Sequence, residues 1–278
     1  MSARLDDHRV SLVVTDLDGT LWGPDETVHP RTLDAIAALH RANVPVLAAT
    51  GRRLSGAITT LRRNELRLPM VVLEGSLGRH SDGVDTFHQA AFDPADARRV
   101  LAAFRACGLS PCVYVDRPDA EVVADVDCST SASHLRRIEP ERAIEVPEDV
   151  VAGEAVLLFT IVDGDVPAMR QAVARIGDSG SPVVSRDVVH GETSTSMTLT
   201  VRPPRVSKWE GVLAWCREQA IDPGRVLAVG DGQNDVELLD AADVACAISD
   251  GCEEVRSLAD HMLAPPETGG WAEVLSLV

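Results

Sequence analysis

Four short stretches of this 278-residue chain concentrate side chains that can do chemistry: Asp16-Leu17-Asp18-Gly19-Thr20, Thr50-Gly51-Arg52, Ser207-Lys208-Trp209 and Gly230-Asp231-Gly232-Gln233-Asn234-Asp235. The first sets two carboxylates one residue apart. Like charges so close need a cation, a shared proton or solvent exposure. Alone, the Asp-x-Asp-Gly pattern is equally well an ordinary Asx turn. An EF-hand start is excluded, because that loop needs Gly at its sixth position and Glu at its twelfth, where this chain has Leu21 and Thr27.

A second pair of acids, Asp231 and Asp235, stands far along the chain. Four carboxylates gathered in one crevice require a divalent ion, and all-oxygen ligation without His or Cys favours Mg²⁺ over zinc. Thr50 adds a hydroxyl and Lys208 a cation. With a carboxylate as nucleophile and a metal and ammonium holding charge on transferring oxygens, these are the parts for phosphoryl transfer. A dinucleotide fingerprint at Gly230 fails for want of its third glycine.

Lys208 stands out by composition: of 26 basic residues it is the only lysine, the rest being arginine. A compact ammonium is kept where a planar guanidinium cannot replace it, although chance survival gives the same count. Ser207 and Glu210 read as a capping box, which puts Lys208 in a first helical turn, opposed by the helix dipole. A bound anion, a phosphate, would account for a cation there.

The elements that must position these residues follow from periodicity. Leu12-Val13-Val14, Val46-Leu47-Ala48-Ala49, Met70-Val71-Val72-Leu73 and Arg225 to Val229 are apolar runs of buried strands. Amphipathic helices separate them, one opened by His29-Pro30 and another over Leu54 to Leu61. Strands alternating with helices pair in parallel through right-handed crossovers. Three runs stop at a polar residue followed by glycine (Asp18-Gly19, Thr50-Gly51, Glu74-Gly75), so the carboxyl edge is a row of tight polar loops. The first strand and the strand after residue 205 should be neighbours where strand order reverses, the usual ligand crevice of open α/β sheets. Val244 to Ile248 and His261 to Leu263 read as further strands, and Trp271 to Leu277 as a terminal helix.

From Arg79 the pattern changes. A hairpin about Gly83, helices at Pro94 to Cys107 and Val166 to Ile176, and strands at Cys112 to Val115, Ala155 to Val162 and Met197 to Val201 suggest an α+β insert. Asp127 to Glu148 resists assignment. Arg202-Pro203-Pro204 reads as a stiff linker. The expected fold is thus α/β, a Rossmann-like three-layer parallel-sheet core from 1–78 and 205–278 with an inserted α+β cap over 79–204.

A net charge of −17 argues against nucleic-acid or anionic-membrane partners. The N-terminus shows no apolar signal segment and no run approaches the roughly 20 apolar residues of a membrane span. Six cysteines at 107, 112, 128, 216, 246 and 252, with no Cys-x-x-Cys pair, read as reduced thiols and small core residues of a cytoplasmic protein.

The four stretches, in this order and spacing, resemble the haloacid dehalogenase superfamily, and the long insert resembles its Cof-type sugar-phosphatase-like subgroup. The likeness covers Val10 to Ser76 and Val206 to Val278; the insert matches in length and position. It implies a Mg²⁺-dependent phosphatase acting on a small phosphorylated metabolite, a sugar phosphate, through an aspartyl-phosphate. Asp16 would be the nucleophile, Asp18 the general acid and base, Thr50 the phosphoryl-binding hydroxyl and Lys208 the cation spanning nucleophile and phosphate. Asp231 would bind Mg²⁺ with Asp16 and the carbonyl of Asp18; Asp235 would stand at or just behind the metal. Gly51 and Asn234 would contact phosphate or substrate, and the insert would close as a cap that excludes water.

Two other functions share the scaffold: a phosphosugar mutase of phosphomannomutase type, and a non-catalytic regulatory protein. Departures from the family pattern fall at Glu74-Gly75, where Asn-Gly is usual, and at Trp22, where a smaller aliphatic is commoner. Arg52 can meet substrate or serve as a structural partner. In the insert Arg186, His190 and Arg202 read as solvated surface, with substrate recognition as the alternative, and Tyr114 and the remaining tryptophans as packing.

Overall fold

The computed structural model describes residues 10–188 and 195–278. They form two compact units, one of residues 10–88 and 208–278, the other of residues 89–188 and 195–207.

The first unit opens with β1 (Leu12–Thr15), α1 (Pro30–Arg41), β2 (Val46–Ala49), α2 (Leu54–Arg63), β3 (Met70–Val72), β4 (Leu77–Arg79) and β5 (Thr86–Gln89). The second holds α3 (Pro94–Arg105), β6 (Cys112–Tyr114), β7 (Val122–Ala124), α4 (Ala132–Arg137), β8 (Arg142–Ile144), α5 (Pro147–Gly153), β9 (Leu158–Val162), α6 (Val166–Ile176), β10 (Ser181–Val188) and β11 (Thr195–Arg202). The chain then returns with α7 (Lys208–Gln219), β12 (Val226–Gly230), α8 (Val236–Ala241), β13 (Val244–Ile248), α9 (Glu253–Leu258) and β14 (His261–Leu263). The expected terminal helix is present over Gly270–Ser276, wound as 3₁₀ turns.

Sheet order in the first unit is β14-β13-β12-β1-β2-β3-β4-β5. From β1 the strands run outward in both directions, so the order reverses between β1 and β12. That pair is parallel, with Leu12 opposite Val226 and Thr15 opposite Val229. Every residue of β1, β2 and β12 is buried, as continuous apolar runs require. Leu12 and Val14 on one face pack with Val212 and Trp215 of α7 and with Leu238 and Leu239 of α8. On the other face Trp271 Nε1 donates to Thr15 Oγ1 at 2.9 Å, seating the C-terminal turns beside α1. The unit is therefore three-layered.

The hairpin about Gly83 extends this sheet through β4 and β5 and does not begin the insert. Only β5, the end strand of the sheet, is partly exposed; β4 is buried throughout, Arg79 included. In the second unit six strands run β10-β11-β9-β6-β7-β8. Three of them, β7, β8 and β10, escape a sequence reading. β7 is only three residues long, and β10 is an edge strand containing Pro182, a residue that only edges tolerate. The stretch 127–148 resolves into α4, a 3₁₀ turn, β8 and the start of α5. Among the described residues no helix is long and apolar enough to cross a membrane.

Candidate active site

The site begins where β1 stops. Asp16 N–H donates to Val229 O at 2.9 Å, which sets the tip of β1 against the tip of β12. Asp16 therefore faces Asp231, which follows β12 directly. Lys208, the first residue of α7, is 1% exposed, and its Nζ donates to Asp16 Oδ1 and to Asp235 Oδ1, both at 2.7 Å. A lysine at a helix start is therefore accounted for by two carboxylates, and the bound anion inferred from the dipole is not needed to explain it.

Asp235 is wholly buried. Its Oδ2 accepts the backbone N–H groups of Asp231 and Gly232 at 3.1 and 3.0 Å, bracing the loop after β12. Thr20 donates to Asp231 Oδ1 at 2.5 Å. Gly19, at φ +78°, is what lets the first loop come so close: a Cβ there would collide with Asp231 Oδ2. Thr50 is buried, and its Oγ1 accepts from Arg52 N–H at 3.2 Å.

Asp18 turns another way. Its carboxylate is half exposed and gripped by the Arg52 fork, Nε to Oδ2 at 2.6 Å with Nη2 on Oδ1. Trp22 Nε1 donates to the same carboxylate at 3.0 Å, and the guanidinium lies 5.3 Å from the Trp22 ring centre. Arg52 also donates to Glu26 at 2.6 Å and to Thr60 at 3.0 Å. Of the two readings of Arg52, the structural partner is the one these contacts describe. Trp22, noted in sequence only as an unusual bulk, is an Asp18 donor.

Glu74 was legible only as a departure. It follows β3 in left-handed backbone, φ 55°, as does Leu73 at 52°, a conformation uncommon outside glycine and asparagine. Its carboxylate accepts from Asn234 Nδ2 at 3.1 Å and fills the space where Gly51 lacks a side chain. Asn234 and Gly51 thus meet at Glu74, at the rim of the same crevice.

Electrostatics is dominated by excess negative charge. Burial pushes the Asp16 carboxyl well up; Lys208 pulls it back, and Asp235, Asp231 and Asp18 raise it further. Asp231 is raised to about 7, first by burial and then by Asp235, against the Thr20 hydroxyl and Lys208. Burial alone would drive Lys208 toward neutrality, but Asp16, Asp235 and Glu74 hold its ammonium charged. One ammonium does not balance these acids. Oxygens of Asp16, Asp231 and Asp235 lie within 4.8 Å of one another, a donor set that fits a hard divalent cation. Both Asp235 oxygens are already engaged, so Asp16 and Asp231 suit direct ligation and Asp235 suits holding Lys208 and the loop.

Sequence reasoning missed Thr20 as an Asp231 partner and Glu74 as a site residue. The first was visible as a hydroxyl inside the leading motif, the second as a carboxylate before glycine. Of the insert residues raised as alternatives, Arg202 ends β11 and is buried rather than solvated, Arg186 falls on β10, and His190 lies outside the described residues. Tyr114 is buried.

Fold and site together define an α/β enzyme framework with a buried acidic crevice at its switch point. Residues 13–275 match the family model of the haloacid dehalogenase-like hydrolases, and the chain belongs to that family. It is 28% identical to a phosphoglycolate phosphatase of Methanopyrus kandleri, over 95% of each chain. It is 27% identical to a 5-amino-6-(5-phospho-D-ribitylamino)uracil phosphatase of Bacillus subtilis, over 95% of this chain and 96% of that one. Among solved structures, a haloalkanoate-superfamily phosphatase from Bacteroides thetaiotaomicron superposes with TM-score 0.80 at 19% identity, covering 100% of this chain and 97% of that one.

Proposed function

We propose that the chain is a Mg²⁺-dependent phosphatase that hydrolyses a small phosphorylated metabolite, a sugar phosphate, through an aspartyl-phosphate on Asp16. The observation that carries this reading is the buried ammonium of Lys208, shared at 2.7 Å by Asp16 and Asp235 beside Asp231. It keeps one Asp16 oxygen fixed beside Asp231, in a crevice whose excess negative charge calls for a divalent cation before a phosphate can enter.

Asp16 and Asp231, with the Asp18 carbonyl, would hold Mg²⁺, which when bound neutralises charge on the phosphoryl oxygens. Asp16 attacks phosphorus while Asp18 gives its proton to the departing alkoxide. Asp18 then takes a proton from water, which attacks phosphorus, releases phosphate and frees Asp16. Thr50 and Lys208 bind equatorial oxygens. Arg52 and Trp22 fix the direction from which the Asp18 carboxylate works. The 89–207 unit serves as the cap that selects substrate.

The names of the two relatives support a small phosphate ester: one is named for a phosphorylated hydroxy acid, the other for a phosphorylated ribityl compound. A screen of phosphorylated metabolites with Mg²⁺ and with EDTA tests the reading. Phosphate release that needs Mg²⁺ and is lost in Asp16→Asn supports it. Isomerised hexose phosphate without phosphate release would favour the phosphosugar mutase; no turnover of any ester, with function intact in Asp16→Asn, would favour a non-catalytic role.

A further inference from the structure

The six cysteines show no spacing that suggests pairing, yet in the 89–207 unit two of them meet. Cys112, at the head of β6, is 1% exposed, and its Sγ lies 3.6 Å from Cys128 Sγ. Cys128 sits in the loop between β7 and α4 and is partly exposed. Both thiols are free.

The meeting is held from both sides. One residue beyond Cys128, Ser129 N–H donates to Ser110 O and Ser129 Oγ accepts Ser110 N–H, both at 2.8 Å. On the next residue, Thr130 Oγ1 accepts Val162 N–H at 3.3 Å and lies 3.6 Å from Cys112 Sγ. Ser110 Oγ in turn donates to Asp125 at 2.7 Å. The loop is thus pinned to the strand edge directly around the sulfurs. The sulfurs stand 3.6 Å apart, against about 2 Å in a disulfide.

We propose that Cys112 and Cys128 form a reversible disulfide on exposure to a low-molecular-weight disulfide, a redox-responsive clip between β6 and the loop before α4. Accessibility sets the order. Cys128, reachable from solvent, attacks one sulfur of the incoming disulfide as thiolate; its S–S bond breaks and one thiolate leaves and takes up a proton. Cys112 then gives up its proton, attacks Cys128 Sγ and expels the second thiolate. Two cysteines lose two electrons and the small disulfide becomes two thiols. The acidities agree with this order: the contact with Cys112 draws the Cys128 thiol down to about 7, while that contact and burial push Cys112 up.

The test is incubation of the folded protein with oxidised glutathione, followed by denaturation, alkylation and peptide mapping. Cleavage at acidic residues such as Asp116 and Asp119 separates Cys112 from Cys128 unless they are bonded, and fragmentation separates Cys112 from Cys107. The expected result is a peptide linked through Cys112 and Cys128, four of the six thiols still alkylated, and full recovery with dithiothreitol. Cys128→Ser, whose folding is checked by its unfolding midpoint, should leave Cys112 as a thiol, and Cys112→Ser should trap glutathione on Cys128. Six unreacted thiols in excess oxidised glutathione, a glutathione adduct on Cys128 of the wild-type chain that never resolves, or pairing through Cys107 would each overturn the proposal.

Discussion

Lys208 Nζ lies 2.7 Å from Asp16 Oδ1, although 192 residues separate the two in sequence. The same ammonium reaches Asp235 at the same distance, and all three side chains are buried. In a dry site such a cation fixes geometry as well as charge, because losing it strands two carboxylates without their partner.

Replacement of Lys208 should therefore affect fold and turnover together. Lys208→Met is expected to cost about 3–5 kcal/mol in denaturant unfolding and at least ~100-fold in kcat. Lys208→Arg should also fail, since a planar fork does not fit a position built for a compact ammonium. An arginine variant with wild-type kcat would show that the lysine is only a charge.

The pH dependence of metal-free stability has a definite sign. Asp16 and Asp231 are raised in the folded chain, Asp231 to about 7. Above the ordinary aspartate value the unfolded chain has released protons that the folded chain still holds, so the slope of stability with pH is negative. EDTA-treated protein should lose stability from about pH 4 to about pH 7. Added Mg²⁺ should raise the unfolding midpoint more at pH 8 than at pH 5, measured by thermal or urea unfolding. An equal gain at both pH values would count against ligation by these carboxylates.

Thr20→Val removes the hydroxyl that donates to Asp231 Oδ1 with little change of shape. Partners standing behind metal ligands affect affinity by about 10–100-fold. Mg²⁺ titration of activity should show a weaker apparent affinity, with kcat at saturating Mg²⁺ less affected. A loss of kcat at unchanged Mg²⁺ dependence would assign Thr20 elsewhere.

Trp22→Phe keeps the ring beside Arg52 and deletes the indole donor to Asp18. Arg52→Lys keeps the charge and deletes the fork. The Asp18–Arg52 pair is partly exposed, so little stability rides on it. Arg52→Lys should unfold near the wild-type midpoint, whereas Trp22→Phe, which shrinks a fully buried side chain, should unfold at a lower one. Turnover should fall roughly 10-fold or more in Arg52→Lys, with a shifted alkaline or acid limb in the pH–rate profile. An altered KM with an unchanged profile would make Arg52 a substrate contact instead.

Much of this was written in the chain. Continuous apolar runs, each ending in a polar residue and glycine, specify buried parallel strands and put the acids on their carboxyl edge, because strand periodicity and turn chemistry are local properties. Asp16, Asp231 and Lys208 were legible for the same reason, the lysine through composition as well. Only tertiary structure decided that the ammonium answers to Asp16 and Asp235, that Arg52 and Trp22 converge on Asp18, that Glu74 folds back on Asn234, and that Cys112 faces Cys128. Each of those depends on strand order, register and loop conformation, which arise from packing between distant segments and leave no periodic trace in the sequence.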